Sequence, residues 1–74
     1  MKLLINGKSH KINTIEMSSK GIKFKINDII TISDIENGFY ILDGLILYFA
    51  QYSTIDIKGS TYTMMFSKFD SIEL

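Results

Sequence analysis

Alternation of apolar and polar residues is cleanest at Ile22, Phe24 and Ile26, with Lys23 and Lys25 between them. A two-residue period of this kind marks a strand with one buried and one wet face. Tyr62, Met64 and Phe66 repeat it against Thr61 and Thr63, while Ile30 and Ile32 share one parity and Thr31 and Ser33 the other. No stretch keeps a helical period for as many as about ten residues. Between the periodic runs stand turn residues. Asn6-Gly7 separates two of them, and both residues tolerate the positive φ of a type I′ hairpin turn. Gly21, Gly38, Gly44 and Gly59 fall at intervals suited to short strands. The segments beginning at Thr14, Thr31 and Thr54 each read as strand, glycine turn, strand, a hairpin grammar that any antiparallel meander shares and that needs no gene duplication.

Strands are predicted near 2–5, 9–17, 21–26, 29–34, 39–42, 45–52, 54–58, 61–66 and 70–73. The fold class is all-β, and a small antiparallel barrel or a rolled meander of hairpins is the economical way to hide so many strand edges. Phe39–Leu42 and Leu45–Ala50 break the alternation by being apolar on both parities, which implies two buried faces or one face that meets a partner. A short helix over 44–52 is the alternative for the second run; its aromatics and flanking strand signals favour a strand.

Composition narrows the classes. A chain of 74 residues is read as a single domain, 1–74, with a thin core. Scaling relations give roughly 4,650 Å² of folded surface and about 12,300 Å² for the unfolded chain. If about 60% of the difference is apolar, burial contributes roughly 115 kcal/mol against an ordering cost of roughly 110 kcal/mol. With no cysteine for a staple, the balance near zero makes a homodimer or a protein partner the natural source of extra burial. The absence of cysteine also excludes a disulfide scaffold, a thiolate metal site and a cysteine nucleophile, and it suits a cytoplasmic protein. The apolar start, Leu3 to Ile5, is too short for a secretory signal, and Leu45–Ala50 falls far short of the roughly 18 residues of a spanning helix, so no membrane role is expected. Fourteen isoleucines without valine, and eight lysines without arginine, read as the bias of an AT-rich genome such as that of a low-GC bacterium or its phage.

The stretch from Phe24 to Gly44, FKINDIITISDIENGFYILDG, resembles the middle of small SH3-like β-barrel domains. In those domains a Gly-Asp or Asn-Asp pair opens a hairpin, a strand of the DIITI type follows, and an acidic turn leads to a strand ending in an aromatic residue and glycine. Asn27-Asp28 occupies the place of the first pair. The resemblance implies a small barrel and leaves function open, because this architecture serves peptide and nucleic-acid binding alike. The chain lacks tryptophan and the ALYDY-type aromatic run of the peptide-binding members, which speaks against proline-rich ligands.

Charge is uneven although the total is zero: residues 1–27 carry six lysines and one glutamate, and residues 28–74 two lysines and seven acids. Lys8, Lys11, Lys20, Lys23 and Lys25 are candidates for nucleic-acid contact, against which stand the neutral total and the lack of arginine. Catalytic chemistry finds little. His10 is the only histidine, Ser9 beside it points to the opposite face of a strand, and neither a phosphate loop nor metal-spaced histidines occur, so neither enzyme activity nor a cofactor is expected. A chain this short is also expected to lack room for a deep pocket.

The aromatic run supplies the site expected for a partner: Phe39, Tyr40, Tyr48, Phe49 and Tyr52, with Asp34, Glu36 and Asp43 nearby to repel phosphate and favour protein. Tyr48 and Tyr52 are expected to face outward. The leading expectation is a non-enzymatic protein-binding module. Its size and base composition suit a phage or mobile-element product that blocks a larger host protein, as an anti-CRISPR or other anti-defence inhibitor does. A small-barrel nucleic-acid binder and a phage structural subunit are the alternatives.

Overall fold

A computed structural model describes residues 1–74 as an antiparallel barrel of six strands, β1 (Lys2–Ile5), β2 (Lys8–Ser18), β3 (Gly21–Ile26), β4 (Phe39–Asp43), β5 (Ile46–Lys58) and β6 (Thr61–Glu73). A single short helix, α1 (Ile32–Ile35), stands between β3 and β4. Neighbours around the closed barrel run β1-β2-β3-β6-β5-β4, and β4 returns to β1. The first hairpin turns at Asn6 and Gly7, whose φ angles of 51° and 76° are the positive pair a type I′ turn needs. No helix is long and apolar enough to cross a membrane.

Three strands are long because each bends at a bulge and serves two neighbours. β2 pairs β1 through Lys8–Lys11 and β3 through Ile12–Ser18, with a register shift between Thr14 and Glu16. β5 and β6 pair along their whole length, with shifts around Tyr52 and Thr54 on β5 opposite Phe66 and Lys68 on β6. The apolar phase of the chain requires these shifts. Inward residues on β5 run Tyr48, Ala50, Tyr52 and then Ile55; on β6 they run Tyr62, Met64, Phe66 and then Phe69. Each series skips one residue, Ser53 or Ser67, and an extra residue inserted there keeps the apolar side facing in. Both serines bond across the hairpin at these points, Ser53 Oγ to the Met65 carbonyl (3.4 Å) and Ser67 Oγ to the Gln51 carbonyl (3.3 Å). The expected strands 45–52 and 54–58 are therefore one strand, and so are 61–66 and 70–73.

The strand expected at 29–34 does not form. Residues 27–38 instead lie across the barrel end that carries the Asn6-Gly7 turn. Ile30 and Ile35, five positions apart, both enter the core, a spacing that a strand of period two would place on opposite faces. Thr31 and Asp34 turn the chain between them, and Ile29 is left 93% exposed. The SH3-like expectation for DIITI thus fails locally, and of the three segments read as hairpins the one from Thr31 is a helical turn followed by β4, whereas the architecture is the small antiparallel barrel.

Folded surface amounts to 4,841 Å², close to the scaling value, and only 13 residues are buried, all of them hydrophobic. Leu3, Phe24, Ile35, Ile41 and Met64 are the largest fully buried side chains, with Phe24 stacked on Tyr62 at 5.4 Å. With so few core groups each one matters. Ile35→Ala should lower stability by about 2–5 kcal/mol, a large part of what a domain of this size holds, whereas Ser67→Ala, which removes one bulge bond, should cost about 1 kcal/mol. Urea unfolding followed by circular dichroism measures both.

Candidate protein interface

The outward face of the sheet formed by β1, β4, β5 and β6 is apolar. Cross-strand partners share a face, and two adjacent rows are defined by the register: Leu4, Tyr40, Phe49 and Asp70 in one, Lys2, Leu42, Leu47 and Ile72 in the next. Leu4, Leu42, Leu47 and Phe49 are half-buried, while Tyr40 and Ile72 are 44% and 59% exposed. The turn after β4 and the chain end extend the apolar surface with exposed Leu45 and Leu74, joined by a backbone bond from the Leu74 N–H to the Leu45 carbonyl. Lys2 and Asp70 give the patch a charged rim.

Phe49 is the centre of this face. Its ring meets Tyr40 at 5.2 Å in a tilted arrangement and lies over Gly38, where a Cβ would come within 2.6 Å of it. Gly38 has φ of +107°, so both backbone and space demand glycine there. Lys68 Nζ lies 5.9 Å from the Phe49 ring centre, a cation–π approach on an exposed surface.

Residues expected at the interface divide between the two faces. Phe39 lies in the core at 2% exposure, opposite Ala50, and is withdrawn from any partner. Tyr40 and Phe49 face outward. Tyr48 and Tyr52, expected outward, share the inward parity of buried Ala50 and pack half-buried against the core. Tyr48 stacks on Phe69 at 5.0 Å, Phe69 on Phe66 at 4.9 Å, and Tyr52 stands opposite Phe66. The outward contributions of Leu4 and Ile72 come from strands remote in sequence, which local pattern could not associate with the aromatic run.

The acidic residues do not form one cluster. Asp43 ends β4 and, through Ile46, shares a row with Glu73, whereas Asp34 and exposed Glu36 belong to the segment across the other barrel end. Here Asp34 accepts hydrogen bonds from Thr31 Oγ1 (2.8 Å), the Thr31 N–H (3.1 Å) and Asn6 Nδ2 (3.1 Å), and His10 Nδ1 donates to Asp28 at 2.8 Å. The hydrogen bonds from Thr31 hold the Asp34 carboxyl below its ordinary value of 3.8, outweighing an opposing desolvation, and His10 and Asn6 add lesser pulls in the same direction as Thr31. The bonds from Asn6 and His10 fasten residues 27–38 to the first hairpin.

Lysines divide as well. Lys11, Lys23 and Lys25 stand on the exposed sides of β2 and β3, with Lys8 at the start of β2 and Lys20 in the turn between β2 and β3. None of the five lies within 4.0 Å of a carboxylate. Glu16 stands directly opposite Lys23, however, and Asp56 follows in the same row beyond Thr63, so the basic surface is interrupted. A depression of about 330 Å³ is a broad opening bordered by Glu16, Met17, Lys20, Lys23 and Met65. A depression of several hundred Å³ thus exists beside the core, and it is shallow rather than enclosed.

Comparison with protein-family models, curated proteins and solved structures finds no match.

The Asp34 bonds have a pH signature. A carboxyl whose value is depressed by folding contributes stability above its unfolded value, and that contribution disappears as pH falls through the folded one. Stability should therefore decline below about pH 4, and Asp34→Asn should flatten this acid limb. Urea titrations at a series of pH values check the difference in slope.

Proposed function

We propose that this chain is a non-enzymatic protein-binding module that docks on a partner protein through the outward face of β1, β4, β5 and β6. The contiguous rows Leu4–Tyr40–Phe49 and Leu42–Leu47–Ile72 carry the reading, because they leave a large aromatic and aliphatic surface without a covering element. An apolar centre with an exposed tyrosine and a charged rim has the composition of a protein interface. The barrel is read as SH3-like in architecture, with a sheet face in place of the proline-rich peptide groove. A cytoplasmic inhibitor from a phage or mobile element, directed at a larger host protein, is the setting that the size and AT-rich bias favour.

A second reading rests on Lys11, Lys23 and Lys25, which share a face with Asn13 and none of which lies within 4.0 Å of a carboxylate, although Glu16 stands opposite Lys23. Contact with nucleic acid there would be a counterion-release effect of a few charges, weak and lost at moderate salt.

A photo-crosslinker at Leu47 tests the first reading, with one at Lys25 on the lysine face as its counterpart. The expected result is a protein adduct from Leu47 alone, and its loss in a Tyr40→Asp background, since a charge buried against a partner should weaken binding by more than about 2 kcal/mol. Thermal melting should leave Tyr40→Asp close to the parent. Equal adducts from both positions, or an adduct indifferent to Tyr40→Asp, would exclude this face. Tight oligonucleotide binding at physiological salt would favour the second reading instead.

A further inference from the structure

β6 has a free edge beyond its contact with β3. β3 pairs only Thr61–Met65, and the β2–β3 turn closes over Phe66, whose N–H donates to the Lys20 carbonyl at 2.8 Å. From Ser67 to Glu73 the only neighbour of β6 is β5. The Leu74 N–H points to β5, where it bonds the Leu45 carbonyl. Alternation along an unbroken antiparallel register then turns the N–H and C=O groups of Lys68, Asp70 and Ile72 toward β5 and those of Phe69, Ser71 and Glu73 away from it. The edge therefore presents a row of backbone donors and acceptors with no strand to receive them, the template on which another strand pairs.

Charge chooses the register in which a second copy fits. With Phe69 opposite itself, the flanking positions set Lys68 of each copy against Asp70 of the other. These are non-hydrogen-bonded pairs, in which side chains come closest. Moving the pairing by one residue in each chain, so that Asp70 meets Asp70, places like charges together. Lys68 and Asp70 form a loose ion pair, 3.9 Å apart on the outward side of a single strand, and both are well exposed, so each can exchange its partner for that of the other copy. On the inward side, the half-buried stack of Tyr48, Phe69 and Phe66 ends at this edge and would be continued by its counterpart. Backbone, charge and aromatic surface meet at the same residue.

We propose that two copies of this chain associate isologously by antiparallel pairing of their β6 edges, with Phe69 at the twofold axis and reciprocal Lys68–Asp70 pairs on either side. The bulge at Ser67 and the β2–β3 turn limit the pairing to Ser67–Ser71. The contact adjoins the docking face at its rim, where Lys68 and Asp70 border Phe49, but it uses no part of Tyr40, Leu4, Leu42 or Leu47, and it carries two such faces side by side on one flank of the dimer.

Sedimentation equilibrium of the full chain over a dilution series from about 1 mM to about 1 μM reads the dissociation constant. A dimer is expected at the upper concentrations. Lys68→Asp and Asp70→Lys should each weaken it by about tenfold or more, since each creates two like-charge pairs, and the double variant should return it to within about threefold of the parent. Tyr40→Asp should leave the constant unchanged even where it abolishes partner docking, which keeps the two proposals distinguishable. Amide exchange supplies a readout free of substitution, with the Phe69 N–H becoming more protected as concentration rises. A monomer throughout the series overturns the proposal and leaves the edge to another strand. A dimer that ignores the single reversals, is not restored by the double one, or leaves Phe69 exchange independent of concentration overturns it equally.

Discussion

Bending at three points makes this barrel possible. A sheet of six strands encloses a core of 13 buried residues only if its long strands turn sharply enough to reach a neighbour on each side. Bulges in β2, β5 and β6 supply that curvature, and each coincides with a slip in the phase of the apolar residues. Without the extra residue at Ser53 or Ser67, every inward side chain beyond it would be carried to the solvent face. The serine hydroxyls bonded across the hairpin belong to the same device.

Curvature also determines what remains open. Because β3 is short and β6 long, closure is achieved along Thr61–Met65 and the remainder of β6 extends past it. The β5–β6 hairpin thus has a core-facing aromatic stack that is half-covered, an outward face with no layer above it, and one unpaired edge. Small barrels usually cap such features with loops or charge. Here the long connection, residues 27–38, is committed elsewhere, sealing the opposite end with Ile30 and Ile35. None of the other elements lies over the outward face of this hairpin or along the Ser67–Glu73 edge.

The connection shows how tertiary demand overrides local pattern. Its alternating Ile30, Thr31, Ile32 and Ser33 fit a strand, yet β1 and β5 already occupy the two edges of β4, so the segment leading into β4 could not pair with it. The bonds from Thr31 and Asn6 to Asp34, with His10 to Asp28, hold the turned conformation against the first hairpin, so polar groups in this segment are explained by anchoring a plug.

Most strand positions outside residues 27–38, the I′ turn at Asn6-Gly7 and the amphipathic face of β3 were legible in the sequence, because a two-residue period and a positive-φ turn are local properties of a few neighbouring residues. The double-sided apolar character of Phe39–Leu42 and Leu45–Ala50 was legible too, and with it the need for a second environment. Which side met the core was not. Tyr48 faces in and Phe49 out because Ala50 and Phe39 sit opposite each other inside a closed barrel, and that parity depends on pairing across many residues. The joining of Leu4 and Ile72 to the outward apolar face, and the free edge at Phe69, likewise exist only once the strand order is set. Local patterning determines that a residue alternates; only closure of the sheet decides toward what.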